Sequence, residues 1–580
     1  LTSELRPCYD EVTGHPRKTI SYVTGHVTEL NVQTQVNMPH FPSVISFRSV
    51  AEWQLQSAHG SYPNCFGDVV LTATFTAPSG KHYRFPGFYN GNNTWCVRFN
   101  PNEVGVWHYQ IGSRPADAGL TAAGNVEVVP SDSAGFLRAT PGEAWGFRDE
   151  RGTPIFLLGD TTYDLFGMAL CGVDVFSFME RRAKQGFNIL RVRMSSSPFF
   201  NAFESPIPPE DFVSWRTRST WPWGGSEQSP RFDVFNLAYF HMVDRVVQHA
   251  EALGLGLEMI MEAWGNEFPF NNRQLFVTEW EEFWLRHLIA RYDAYTCVFF
   301  WTLMNEYEYY PDGDYRYNPL NDRWAMRLGQ WVKAVAQHNH IVTVHNGPRE
   351  PAFAARFVHD PGAIDAIMFQ DWGARDKERG WLAAGLEDQV ARSLAGWWGS
   401  AVLAEYGYER NPDFPLLVPL SLYCDTDHTR RGAWRGAFCG LGVIQGFENS
   451  WGPFERLAED QPGLVYLLHL RHFFLSVVPF YTVRPTAQYV HPGSYEVGHR
   501  PLEMSSTDGN TVLVYLPTGG VVSMTLADGA VAAHWFDPRT AEMFPADGTL
   551  EDGQPTFSAP IGGGDRLWDW VLVIQRERVG

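Results

Sequence analysis

This chain of 580 residues has no apolar run long enough to cross a membrane as a helix. Basic residues are in short supply. Lys and Arg total 45 against 65 Asp and Glu, a formal net charge of −20. Nucleic acids and anionic membranes are gripped by basic surfaces, so neither is expected as a partner. A polyanionic substrate is disfavoured unless a local basic pocket overrides the global charge. The seven cysteines are scattered and odd in number, with no CxxC pair or Cys/His cluster of the kind that builds a zinc site. Cys297, inside an apolar run, reads as a buried thiol, whereas a bridge between Cys65 and Cys96 of the N-terminal β region is left open. No signal peptide is visible, and the thiol pattern fits a reducing compartment. A cytoplasmic location is expected, changing to secreted if a leader precedes Leu1. Whether the chain forms a homo-oligomer is not legible.

What is abundant is aromatic. Phe, Trp and Tyr make up 15% of residues, with 22 Trp. Two readings compete: several aromatic-rich cores, or sugar binding, in which pyranose C–H faces stack on rings. The length exceeds what one core supports and points to two to four domains. Residues 1–45 read as an irregular arm. From 46 to 135, short alternating runs such as Val69–Phe75 and Thr94–Phe99, separated by the Asn90-Gly91-Asn92-Asn93 turn signal, predict a β-sandwich. From 136 to 478 the rhythm is strand then helix. Eight apolar strand candidates occur: Pro154–Asp160, Asn188–Met194, Gly254–Trp264, Cys297–Glu306, Ile341–Asn346, Ile364–Trp372, Ala401–Tyr408 and Gly442–Trp451. Trp324, Leu328, Trp331, Val332 and Val335 share one helical face, as do Leu382, Leu386, Val390 and Leu394. Eight βα units predict an α/β fold of the (β/α)8 TIM-barrel type. A doubly wound sheet is the runner-up, but no Gly-rich phosphate loop follows the first strand. Residues 479–580 return to short strands, a second sandwich.

Barrel enzymes carry their reactive groups at the C-terminal strand ends. Here those ends hold Asp160 and Tyr163, Arg191 and Arg193, Glu262 and Trp264, Asn305 and Glu306, His345, Gln370 and Trp372, Glu405 and Tyr406, then Glu448 and Trp451. Glycoside hydrolysis needs two carboxyl groups flanking one bond. Glu306 and Glu405, on the fourth and seventh strands, supply them from opposite sides of the mouth. Either glutamate alone would be unremarkable; the pair at those two places is what carries weight. Glu409, just past the seventh strand, competes with Glu405 for register. Arg191 and Arg193 share one strand face and need carboxylate partners. Glu405 is the natural one, and a nearby cation would keep it ionised. Tyr406 or Tyr408 is a candidate hydrogen-bond donor to it. His345, Gln370 and Glu448 are candidate ligands of sugar hydroxyls, with Trp264, Trp372 and Trp451 as stacking platforms.

Asn305-Glu306 and Glu405 resemble the pattern of clan A retaining glycosidases. The resemblance implies that Glu306 is the acid/base, Glu405 the nucleophile, and Asn305 a ligand of the sugar 2-hydroxyl. Phe156-Leu157-Leu158-Gly159-Asp160-Thr161 resembles the first strand of apiosidase-like barrels. Pro86–Tyr89, Trp95–Phe99 and Gly105–Trp107 resemble a sandwich that precedes many such barrels. Trp535–Thr540 and Asp569–Leu572 resemble a collagen-binding-type sandwich. The resemblance implies a retaining glycosidase acting on a carbohydrate through a covalent intermediate, with neither metal nor cofactor.

Two rivals come from other classes. A metal-dependent barrel hydrolase usually has an HxH pair after its first strand; the one HxH here, His338-Asn339-His340, precedes the fifth. A non-catalytic carbohydrate-binding protein would not need both glutamates. Within the enzyme reading, the long connection Ser195–Asp233, with Phe199, Phe200, Trp215, Trp221 and Trp223, is expected to fold over the mouth and line a pocket for one terminal sugar. Exo action follows, with an endo-acting glycanase as the alternative; the competing expectation is that these aromatics pack against the N-terminal sandwich.

Overall fold

The computed structural model describes residues 41–143, 145–195, 221–263, 268–310, 317–347, 353–360, 362–376, 380–381, 383–410, 423–451, 457–491, 493, 498–526, 531–551, 554–560 and 568–576, with backbone alone at 375, 376, 380, 381, 451 and 551. All eight apolar runs become parallel strands: β1 (Leu158–Thr161), β2 (Ile189–Arg193), β3 (Gly256–Glu262), β4 (Val298–Met304), β5 (Ile341–His345), β6 (Ala366–Gln370), β7 (Ser400–Glu405) and β8 (Gly442–Phe447). β8 pairs back onto β1 through Val443–Leu158, Ile444–Gly159 and Gln445–Asp160, which closes the sheet. The protein is a (β/α)8 barrel with antiparallel β domains before and after it.

Alternation along each strand sorts the side chains into two sets. Outward-facing Leu190, Val192, Leu257, Met259, Val342, Val344, Ile367, Phe369 and Leu403 join one core with the surrounding helices. The helix Pro319–Val335 contributes Trp324, Leu328 and Val332 to it, as its sequence periodicity predicts, and starts from an Asn318 cap that accepts from Leu320 N. Inward-facing Ile189, Phe300, Ile341, Met368, Val402 and Ile444 form a separate core with Leu137, Phe147 and Leu157 beneath them. Phe147 meets Phe300 edge-on at 5.5 Å. The barrel interior is therefore apolar toward the N-terminal strand ends, and its polar side chains gather at the opposite end.

The N-terminal sandwich packs a five-stranded sheet (Val44–Ser46, Ala122–Val129, Gly105–Arg114, Val70–Thr76, His82–Pro86) against a three-stranded one (Ala51–Gln56, Thr94–Phe99, Phe88–Gly91). Its core is aromatic: Phe75 stacks on Phe99 at 4.1 Å, with Trp53 and Trp107 against them. The predicted turn is present, with Asn92 and Asn93 both at positive φ, as a tight hairpin requires. Every residue of Thr94–Phe99 is buried because the strand's far side meets the barrel. There Arg98 forks onto Asp244 at 2.9 and 3.1 Å, and Arg291 also bonds Asp244. Cys65 and Cys96 are both free thiols, and Cys297 is buried.

The C-terminal domain pairs a six-stranded sheet with a three-stranded one. Arg430, on the helix Thr426–Phe438, reaches its buried Asp569 at 2.8 Å. Trp434 of the same helix stacks on Tyr515.

Candidate active site

β2 presents Ile189, Arg191 and Arg193 to the interior, one apolar and two cationic. Arg191 is fully buried, and its guanidinium is shared four ways. Nη1 donates to Tyr163 Oη at 2.6 Å and to Glu405 Oε2 at 3.0 Å. Nη2 donates to Asn305 Oδ1, and Nε lies 3.3 Å from Glu258 Oε2. Tyr163 Oη in turn donates a hydrogen bond to Glu405 Oε2 at 3.1 Å. One oxygen of Glu405 thus accepts from an arginine and a tyrosine that also bond each other. Such charge-assisted bonds are the stronger kind and fix orientation.

Glu405 reaches this position through a break in strand register. Val402 and Ala404 face inward and Leu403 outward, so strict alternation would send Glu405 outward. However, Phe369 pairs with Leu403 while the next residue, Gln370, pairs with Glu405. The extra residue on β7 is a bulge, and it returns Glu405 to the interior row. Glu409 belongs elsewhere: its Oε1 accepts from Gly463 N at 2.7 Å, and burial pushes its carboxyl up to about 7.

Glu306 follows β4. Asn305 N still bonds Glu262 O at 3.3 Å, continuing the ladder, and Glu306 then turns left-handed at φ 54, ψ 50. That conformation is uncommon outside glycine and concentrates at functional positions. Burial pushes the Glu306 carboxyl well above the usual range, and the charge of Glu405 adds to it. Gln370 Nε2 donates to Glu306 Oε1 at 2.6 Å. His345 places Nε2 4.0 Å from Glu405 Oε2. Burial, and then Arg191, hold this histidine well below its ordinary range, so it is a neutral imidazole.

The structure therefore brings together Glu306, Glu405, Asn305, Tyr163, His345, Gln370 and Trp372, whose ring lies edge-on to Tyr408 at 5.4 Å. Two other expected site residues, Asp160 and Tyr406, face away from the barrel interior. Asp160 faces outward, because Gly159 occupies the inward position where any Cβ would meet Ile189 and Ile444. Both Asp160 oxygens are engaged, by Arg182 at 2.6 Å and Ser450 at 2.7 Å. Arg193 does not reach Glu405; it pairs with Asp164 at 2.8 Å and lies over the Tyr163 ring. Tyr406 points out to the helix behind β7, donating to Thr429 O at 3.3 Å across Gly432. Glu448 is buried at the start of a short helix after β8. Trp264 and the Trp451 side chain lie outside the described residues, as do Phe199, Phe200 and Trp215. Trp221 and Trp223 are buried, Trp221 stacked on Phe268 and Trp223 against Trp284. Phe235, two residues past the 195–233 connection, meets the N-terminal domain at Phe66.

Sequence reasoning missed Glu258 and Thr302, which bond each other at 2.8 Å beneath Arg191. The available signal was parity: Glu258 and Glu262 fall four apart in the apolar run of β3, on the inward row. It also missed Asn346, whose backbone carbonyl accepts from Gln370 at 3.0 Å. His338 and His340 sit at the N-terminal side of the barrel, where His338 Nδ1 lies 2.7 Å from Asp293. Among the described residues no group of three His, Cys, Asp or Glu is placed to hold a metal ion.

Comparison with known proteins adds three family matches. Residues 144–460 match the model for an apiosidase-like catalytic domain. Residues 48–114 match a domain of unknown function, and residues 495–575 match one described as "putative collagen-binding domain of a collagenase". No curated protein matches the chain. Among solved structures, a "putative glycoside hydrolase" of Bacteroides vulgatus is 16% identical, with a TM-score of 0.65 over 92% of this chain and 100% of that one. A family 5 glycoside hydrolase of the same organism is 17% identical, with a TM-score of 0.56 over 76% of this chain and 94% of that one. At these identities the likeness shows the fold.

Proposed function

Because this chain belongs to the apiosidase-like family, a glycoside hydrolase of the clan A type, we propose that it is a retaining O-glycosidase with Glu405 as nucleophile and Glu306 as acid/base. One observation carries the assignment: the two carboxyl groups sit in opposite environments. Glu405 is met by the Arg191 cation and the Tyr163 hydroxyl. Among the described residues no cation is bonded to Glu306, and burial together with the Glu405 charge favours its protonated form. A buried acid that favours its proton, beside a carboxylate met by a cation, is the pairing that an acid and a nucleophile need.

The reaction runs in two displacements. Glu405 Oε attacks the anomeric carbon as the glycosidic C–O bond breaks. The proton of Glu306 passes to the departing oxygen, so the aglycone leaves as an alcohol. The glycosyl ester neutralises Glu405, and Glu306, now ionised, takes a proton from the incoming water. Water attacks the anomeric carbon, the ester bond breaks, and Glu405 is restored as a carboxylate. Asn305, held by Arg191, and the neutral His345 supply hydrogen-bonding groups beside the nucleophile for sugar hydroxyls.

Exo action is the finer reading. The connection after β2 leaves the catalytic face at Ser195 and is far longer than the usual 2–6 residues. The burial of Trp221 and Trp223 anchors its return.

Replacement of the nucleophile tests the assignment. Glu405→Ala should abolish turnover of a nitrophenyl glycoside that the wild type cleaves, and azide should restore some of it, giving a glycosyl azide of inverted configuration. An azide product of retained configuration, or full activity without Glu405, would remove Glu405 from this role.

A further inference from the structure

Gln370 stands between Glu306 and Trp372, and its amide can be oriented without ambiguity. An indole N–H only donates, and a backbone carbonyl only accepts. Trp372 Nε1 lies 3.1 Å from Gln370 Oε1, while Gln370 Nε2 lies 3.0 Å from Asn346 O. Flipping the amide would set two donors face to face at Trp372 and two oxygens face to face at Asn346. The network therefore fixes the assignment, which hydrogen positions alone would not. Of the two amide hydrogens, one goes to Asn346 O, and the other to Glu306 Oε1 at 2.6 Å. All four residues are buried, where a polar group that loses its partner is costly.

From this geometry we propose that Trp372 and Gln370 are positioning residues that determine which oxygen of Glu306 carries the proton. Oε1 is a standing acceptor from Gln370, so the proton sits on Oε2, leaves from there to the glycosidic oxygen, and returns there from water. The inference rests on the acid/base reading of Glu306. It gives Gln370 and Trp372 a task different from contacting sugar: they act through Glu306. It also sets the balance of the two half-reactions. A bond donated to Oε1 favours the ionised form of Glu306, which the water step needs. It opposes the upward push of burial and of Glu405, which the first step needs.

The test reads the Glu306 carboxyl directly, in full-length protein labelled with 13C at glutamate Cδ. The Glu306 signal is identified by its absence from Glu306→Gln. Gln370→Met fills similar volume without the donor and should raise the Glu306 titration midpoint by about one to two pH units, the worth of a hydrogen bond to a charged group. Trp372→Phe keeps an aromatic ring at this place and removes the N–H that holds the amide, so a smaller rise in the same direction is expected. It also serves where Gln370→Met does not fold. A midpoint unmoved in Trp372→Phe would remove Trp372 from the relay, and midpoints unmoved or lowered in both variants would overturn the proposal. The titration needs no turnover, so it can fail independently of the acid/base reading. That reading fails instead if Glu306→Gln keeps the wild-type rate on substrates with poor leaving groups.

Discussion

Arg191 sets Nη1 3.0 Å from Oε2 of Glu405, with the arginine side chain wholly buried and the glutamate nearly so. Breaking one partner of such a pair leaves an uncompensated buried charge, at a cost of about 3–5 kcal/mol. Arg191→Met should therefore lower kcat/KM by about 10²-fold or more. Arg191→Lys keeps the charge but cannot reach Tyr163, Asn305 and Glu258 together, and should fall between. Steady-state kinetics on a nitrophenyl glycoside, alongside melting curves, checks both. An Arg191→Met enzyme at wild-type kcat/KM would separate Arg191 from the nucleophile's function.

Activity against pH should be bell-shaped, with Glu306 setting the alkaline limb. The sign follows from its environment. Burial and the Glu405 charge raise the Glu306 carboxyl, so the acid stays protonated beyond the ordinary carboxyl range, and activity is lost as pH climbs through its shifted value. Glu405→Gln removes the neighbouring charge and should lower the Glu306 midpoint, seen by 13C titration. A Glu306 midpoint that rises in Glu405→Gln would contradict this electrostatic coupling.

Asp160 should matter to stability and not to substrate. Its pairing with Arg182 is fully buried, so Asp160→Ala is expected to cost about 3 kcal/mol, the low end for a broken buried pair, because Arg182 keeps Asp460 at 2.6 Å. A lower melting temperature with unchanged KM in the folded fraction is the expected outcome. A selective rise in KM at unchanged melting temperature would return Asp160 to the sugar.

The eight strands were readable because a barrel strand is buried on both faces and appears as an uninterrupted apolar run. The Glu306 end of β4 was readable because it terminates such a run. Errors arose where the face mattered. Asp160 was read as pointing into the mouth because it ends a strand, but Gly159 takes the inward place beside Ile189 and Ile444. Arg191 and Arg193 share a face, and only depth along the strand decides that Arg191 meets Glu405 and Arg193 meets Asp164. The β7 bulge inverts parity after Ala404, which sends Glu405 inward and Tyr406 out to Thr429. No spacing rule announces a bulge. Loop length and composition do not tell that the large apolar surface of Trp223 packs against Trp284.

If the connection after β2 closes one end of the cleft, product release should be of single sugars or small terminal units. On a polymer containing the cleaved linkage, viscosity should fall slowly while reducing ends accumulate as monosaccharide. A rapid loss of viscosity with a ladder of oligosaccharides would establish endo action.

The central claim is that Glu405 forms a covalent glycosyl intermediate, so that two inversions restore the starting configuration. The most direct measurement is the anomeric configuration of the first-formed product, followed by proton NMR before mutarotation scrambles it. With any glycoside that the wild type cleaves, the account predicts that the initial product has the same anomeric configuration as the substrate; accumulation of the opposite anomer first would contradict it.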